Sequence, residues 1–213
     1  MSEDVKLIPV DRRAARVAQT ELRILAAARD LFLEHGYVAT TLADVAERAG
    51  VAARTVYVRF GTKAAVFKRV VDVALVGDTA PLDLAHRSGT VQSMSAATLE
   101  DRIRAFVGVS AGVIERTGEL FVVAVEAEAA EPELARAARA GREVTRRQAM
   151  AFWRQARADG LISADLDVSW LGETTEVLIA ADTWVHIRRT KGWSPRRYNR
   201  WLDTTLRRLA TKF

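Results

Sequence analysis

Residues 40–67 read TTLADVAERAGVAARTVYVRFGTKAAVF, and the fold is decided there. Leu42, Val45, Ala46 and Ala49 repeat at helical spacing behind Thr40 and Thr41, a pair of hydroxyls suited to a helix N-cap. Gly50 closes that short helix; Val56 and Phe60 carry a second one, which Gly61 ends. Two helices of about eight residues joined by Gly50-Val51-Ala52 have the length and glycine-bearing corner of a helix-turn-helix. Packing Ala46, Gly50, Val51 and Val56 into that corner turns Arg54, Thr55 and Arg59 outward. An exposed helix with Arg and Thr at its start fits a major groove, where Arg can reach guanine O6 and N7 together. Tyr57 offers its hydroxyl to a phosphate, and Lys63 adds charge to helix-start amides that already attract anions.

Working outward, the periodicity stays helical. Ile24, Leu25, Ala28, Leu31 and Phe32 form a stripe over residues 21–35, capped by Gly36, and Val66, Phe67, Val70, Val71 and Ala74 continue from Lys63 towards Gly77. Residues 78–98 hold Pro81, Gly89 and several Ser/Thr without a clear period, which predicts a loop or linker. Helices are expected again over 99–116, 119–130 and 133–158. One more runs from Asp167 or Ser169 to Arg189, and a last one opens at Ser194-Pro195. No strand alternation persists. The expected class is all-α, with about nine helices in four regions: an N-terminal arm (1–19), a head bearing the helix-turn-helix (20–77), the linker (78–98) and a C-terminal helical domain (99–213).

Composition narrows the function. The 213 residues are 49% hydrophobic and 28% charged, as in a globular protein, and the absence of cysteine excludes disulfides, a thiolate nucleophile and sulfur-based metal sites. No stretch has the length and apolarity of a membrane span, so a soluble, cytoplasmic protein without a membrane partner is expected. The formal +5 is unevenly spread: +4 over residues 1–70, −7 over 71–135 and +8 over 136–213. The Arg188-Arg189 and Arg196-Arg197 pairs flank the last turn and read as solvated helix ends. Arg12, Arg13 and Arg16 could enter a minor groove or only raise non-specific affinity. His35, His86 and His186 have no metal-like partner nearby in sequence, and no serine sits in a nucleophile elbow, so neither an enzyme, a metal nor a cofactor is expected.

The head resembles the TetR-type transcriptional repressors. A first helix ending in His35-Gly36-Tyr37, then TTL-x-D-V-A-x-x-A-G-V, then T-V-Y-x-x-F-G-T-K with Phe67 close behind, covers about residues 20–76. The resemblance implies a homodimer of all-helical subunits whose C-terminal domain binds a small-molecule inducer and loosens the grip on a palindromic double-stranded DNA operator. By position it implies phosphate contacts from Thr41, Tyr57 and Lys63 and base reading by Arg54, Thr55 and Arg59. Ala52 stands where the family often has Ser, and Arg54 where it often has Gly, so operator preference does not carry over.

In the C-terminal half the same resemblance implies a dimer interface from the final two helices: Trp170, Leu171, Val177, Leu178, Ala181 and Val185, then Trp201, Leu202, Leu206 and Leu209. Core packing within one subunit would give the same stripe. Phe106, Phe121, Met150, Trp153 and Trp184 are candidates to line an inducer pocket, with Glu126 placed to attract a cationic ligand. Two other readings remain open: a non-specific architectural DNA-binding protein, and a helical enzyme or carrier whose head has lost DNA binding.

Overall fold

The computed structural model describes residues 12–77 and 88–211, and among them every regular element is a helix. In order these are α1 (Arg12–Ala39), α2 (Leu42–Arg48), α3 (Ala53–Phe60), α4 (Lys63–Val76), α5 (Ser88–Ser95), α6 (Leu99–Ala130), α7 (Pro132–Ala158), α8 (Val168–Ile179), α9 (Ala181–Lys191) and α10 (Pro195–Leu209).

The sequence signals set most of the boundaries. Thr41, Thr62, Thr98 and Ser194 each accept an amide of the following turn, satisfying one orphan donor of α2, α4, α6 and α10. Gly36 (φ 76°, ψ 176°) kinks α1 just before Tyr37, and Gly50 takes a positive φ in the helix-turn-helix corner. Four expectations need correction. Helix α1 already runs at Arg12, through most of the segment read as an arm, and α5 occupies Ser88–Ser95 inside the expected linker. The expected break near Arg116–Glu119 is absent, because α6 passes through it unbroken. The single helix expected after Asp167 is instead α8 and α9, which part at Ala180 in extended backbone (φ −60°, ψ 142°).

Two cores result. The first gathers α1–α4 around Phe32, Tyr37 and Phe67, whose rings lie 5.0–5.8 Å apart. It does not end at α4: Leu120, Val123 and Ala127 of α6 and Leu134 of α7 are buried in it. The second contains Ile103, Val107 and Ile114 of α6 with Phe152, Trp153, Leu171, Trp184, Tyr198, Leu202 and Leu206. Helix α6 is thus a shared wall of both cores.

The interior of α6 is fitted to this duty. Thr117 and Gly118 are fully buried, and a Cβ at Gly118 would stand 2.7 Å from Trp184 Nε1. Glycine costs about 1 kcal/mol in a helix relative to alanine, and here it makes room for a rigid indole. Arg102 is 4% exposed, donates from Nε to Ala96 O at 2.7 Å and pairs with Asp159 at 2.6 Å, pinning the start of α6 to the end of α7. Replacing Gly118 by alanine overpacks the site against Trp184 and should cost about 1–3 kcal/mol. The urea midpoint is expected to fall with an unchanged m-value; a wild-type midpoint would refute the fit.

Candidate DNA-binding head

Val56 has no exposed surface and anchors α3 in the first core, where the helix packs on α2 and α4. That one anchor fixes the rotation of the helix. Arg54 and Thr55 are exposed, as are Tyr57 (53%) and Val58 (75%). The Arg54 side chain makes no hydrogen bond or ion pair among the described residues, so its whole fork of donors is available to a partner. Ala52 is the N-cap and offers no side-chain acceptor, as the sequence implies. The first amides of α3 therefore keep donors for an outside group.

Thr41 sits at the start of α2 in a reciprocal capping box. Its Oγ1 accepts from Asp44 N at 3.2 Å, and its own N donates to Asp44 Oδ2 at 3.0 Å. Hydrogen bonds from the Thr41 side chain and from its backbone amide hold the Asp44 carboxyl below the usual carboxylate range.

Two of the expected contacts carry a second task. Arg59 pairs with the half-buried Glu21 of α1, which also receives Arg69 Nε at 3.3 Å. Through Glu21, Arg59 ties α3 to α1 and Arg69 ties α4 to α1, so Arg59 does not stand free in the way Arg54 does. Lys63 Nζ donates to the carbonyls of Tyr37 at 2.8 Å and Val38 at 3.2 Å, and lies 4.4 Å from the Tyr37 ring centre. It satisfies the carbonyls left open behind the Gly36 kink, with one ammonium proton to spare. Tyr37 in turn donates its hydroxyl to Glu131 at 3.3 Å, where burial and that carboxylate push its pKa above the ordinary tyrosine value. Residue type and position signalled Arg59 and Lys63, but not the acid and carbonyls that occupy them. Arg12 and Arg13 have no described side chains, and Arg16 is exposed.

The head is also clamped from the body. Arg116 of α6 donates to Ala74 O and Leu75 O at 2.9 Å each, closing the C-terminal end of α4. This contact had no sequence signal, since it joins residues 41 and 42 positions apart.

The residues expected at the inducer pocket lie mostly in the second core, and those expected at the dimer interface divide between core and surface. Phe106 packs on Phe152 at 4.7 Å between ring centres, and Phe121 is half-buried against the same core. Met150 packs on Gly172, where a Cβ would meet its sulfur. Trp153 is fully buried and donates to Thr175 Oγ1 at 2.7 Å. Trp184 is 1% exposed and its Nε1 has no hydrogen-bond partner among the described residues. Glu126 does not reach this interior: it is exposed, pairs with Arg189 at 3.0 Å and lies beside Gly36. Of the interface stripe, Leu171, Val185, Leu202 and Leu206 are buried inside the protomer and cannot meet a partner directly. Only Trp170 (51%) and Val177 (58%) are strongly exposed, while Leu178, Ala181, Trp201 and Leu209 are half-buried. The apolar face of a helix looks alike whether it meets its own chain or another. His35 and His186 are exposed, His86 lies outside the described residues, and no metal-holding cluster occurs among those described. No helix among the described residues is long and apolar enough to cross a membrane.

A helix-turn-helix with an exposed outer face, braced on an all-helical body, is the architecture of helical DNA-binding regulators. Residues 24–70, most of the head, match the family model described as bacterial regulatory proteins, tetR family, which agrees with the resemblance read from the sequence. Solved structures share the fold. The TetR family transcriptional regulator PfmR from Thermus thermophilus is 24% identical with a TM-score of 0.65, over 88% of this chain and 97% of that one. NalD, the secondary repressor of the MexAB-OprM multidrug efflux pump in Pseudomonas aeruginosa, is 16% identical (TM-score 0.62, 92% and 98%). SmeT in complex with triclosan is 18% identical (TM-score 0.70, 91% and 92%). The comparison with curated proteins returns no match.

Glu21 gives the head an acid-sensitive joint. Burial alone would raise its pKa, but Arg59 and Arg69 outweigh burial and hold it below the ordinary glutamate value. Its stabilising contribution is therefore complete above that ordinary value and is lost as pH falls through the lowered one. Glu21→Gln should lower stability at neutral pH and flatten the loss on acidification. Parallel wild-type and variant stability curves between neutral pH and about pH 3 would rule out this role.

Proposed function

We propose that the chain is a cytoplasmic homodimeric repressor that grips a palindromic double-stranded DNA operator and is released by a small-molecule ligand. The observation that carries this is the unpaired Arg54 beside Thr55 and Tyr57 on a helix anchored by Val56. Arg54 and Thr55 read base edges; Thr41, Tyr57 and the spare proton of Lys63 hold phosphates and fix the register. Residues 20–77 act as the DNA-binding domain and 99–213 as the regulatory and dimerisation domain. The exposed Trp170 and Val177 on α8 supply the apolar centre of the two-fold interface, with Leu178, Ala181, Trp201 and Leu209 at its margin.

The aromatic body receives the ligand. Phe106, Phe121, Met150 and Trp153 offer apolar contact, and the buried unpartnered Nε1 of Trp184 is a donor awaiting an acceptor. SmeT is seen in complex with triclosan; an aromatic ligand with one acceptor would suit the present interior in the same general way. The ligand must bind the DNA-incompetent spacing of the two heads better than the competent one, since equal affinity shifts nothing.

Selection from random duplexes should return a near-palindrome with half-sites roughly 34–36 Å apart. No consensus at fixed salt would favour the architectural reading. Arg54→Ala should relax preference at one base pair by about 1–3 kcal/mol. Tyr57→Phe should weaken operator and random duplex alike, by the worth of one bond to a charged group, about 1.5–3 kcal/mol. Sedimentation as a monomer at micromolar concentration would remove the dimer from this account.

A further inference from the structure

The basic tail contains cations that the head's chemistry does not use. Helix α9 runs beside α6 towards the head: Trp184 packs on Gly118, Arg188 Nε pairs with Glu119 at 3.0 Å, and Arg189 Nη2 pairs with Glu126 at 3.0 Å. Glu126 Oε2 lies 3.6 Å from where a Gly36 Cβ would stand, and the next residue, Tyr37, holds Lys63 through its carbonyl. Helix α10 then returns towards the start of α6, where Arg207 pairs with Glu100 at 2.8 Å. The α9–α10 turn therefore lies at the head-facing end of the body, a few contacts from a phosphate-holding lysine of the head.

That turn is rich in uncompensated charge. Arg188 and Arg189 are neutralised by α6, and Arg197 stacks on Trp193 at 4.6 Å. Among the described residues, the exposed side chains of Lys191, Arg196 and Arg200 make no ion pair or hydrogen bond. Arg196 and Arg200 stand one helical turn apart and, with Ser194 and Asn199, line an open hollow of about 490 Å³. They are forked donors suited to bidentate phosphate recognition.

We propose that the α9–α10 turn is a second DNA contact, in which Arg196 and Arg200, supported by Lys191, hold the phosphate backbone beside the half-site read by α3. This rests on the DNA-binding reading above. The contact carries no sequence information; it adds affinity and salt dependence.

Full-length Arg196→Ala/Arg200→Ala is compared with Arg154→Ala/Arg208→Ala, which removes the same charge from exposed, unpaired arginines away from the turn. Binding to operator and random duplex is measured across a salt series. The first double should make the slope of log K against log salt shallower by about 1.8, since each phosphate contact contributes about 0.9. It should weaken both duplexes by the same factor, and Arg196→Lys/Arg200→Lys should restore most of the slope. Indistinguishable slopes for the two alanine doubles would overturn the second contact while leaving the repressor reading intact. A wild-type protein that binds neither duplex would overturn both.

Discussion

One unbroken helix holds this molecule together. Helix α6 is 32 residues, about 48 Å at 1.5 Å per residue. Its first half supplies Ile103, Val107 and Ile114 to the body core, and its second half supplies Leu120, Val123 and Ala127 to the head core. Without those three residues and Leu134, the head would leave part of its apolar interior open to water. A rigid rod common to both cores allows little independent movement at its ends. Any change in packing around Thr117 and Gly118 must be taken up by the rod, by the Arg116 clamp on α4 or by the Gly36 kink. The buried Trp184 packs against the rod at that point, which gives the proposed ligand a mechanical path to the head through named contacts.

The same economy governs the DNA-facing surface. A small head has few buried polar contacts to spare, so residues expected to grip DNA also hold the head's shape. Lys63 closes the carbonyls behind the Gly36 kink, and Arg59 joins α3 to α1 through Glu21. Of the three cations expected to contact DNA, Arg54 alone has no such bond among the described residues. A free guanidinium is worth most where its partner varies, at a base edge, and a tethered cation where its partner is constant, at a phosphate. This division favours Arg54 over Arg59 as the reader.

The head was largely legible in the sequence because its signals are local. A cap three residues from its amide, a glycine with positive φ and a helical apolar period all lie within one or two turns. Arg54, Thr55 and Tyr57 emerge on the outer face because Val56 must go inward. The losses came where the deciding contact is distant. Gly118 resembles a break until Trp184, 66 residues on, is seen to need its missing side chain. Arg102 looks like surface charge until Asp159 and the Ala96 carbonyl enclose it. The split at Ala180 has no glycine or proline to announce it. Leu171, Leu202 and Leu206 matched an interface pattern because amphipathicity records that a face is buried, but not by which chain.

The charge blocks show what folding does to such a pattern. The acidic middle of the sequence is mostly α6, and the helices around it carry the basic tail. Glu100 takes Arg207, Glu119 takes Arg188, Glu126 takes Arg189 and Glu128 takes Arg142, which also holds Asp182 of α9. Exposed pairs of this kind are worth about 0–1 kcal/mol each, so they add little stability. They do favour one angular setting of α7, α9 and α10 around α6, because a rotated helix would set like charges together. The opposing blocks thus cancel across the interior seams of the body. Three of the cations left uncancelled among the described residues, Lys191, Arg196 and Arg200, stand together at the α9–α10 turn. A net charge of +5 says little about where the molecule is positive; the pairing along α6 determines that.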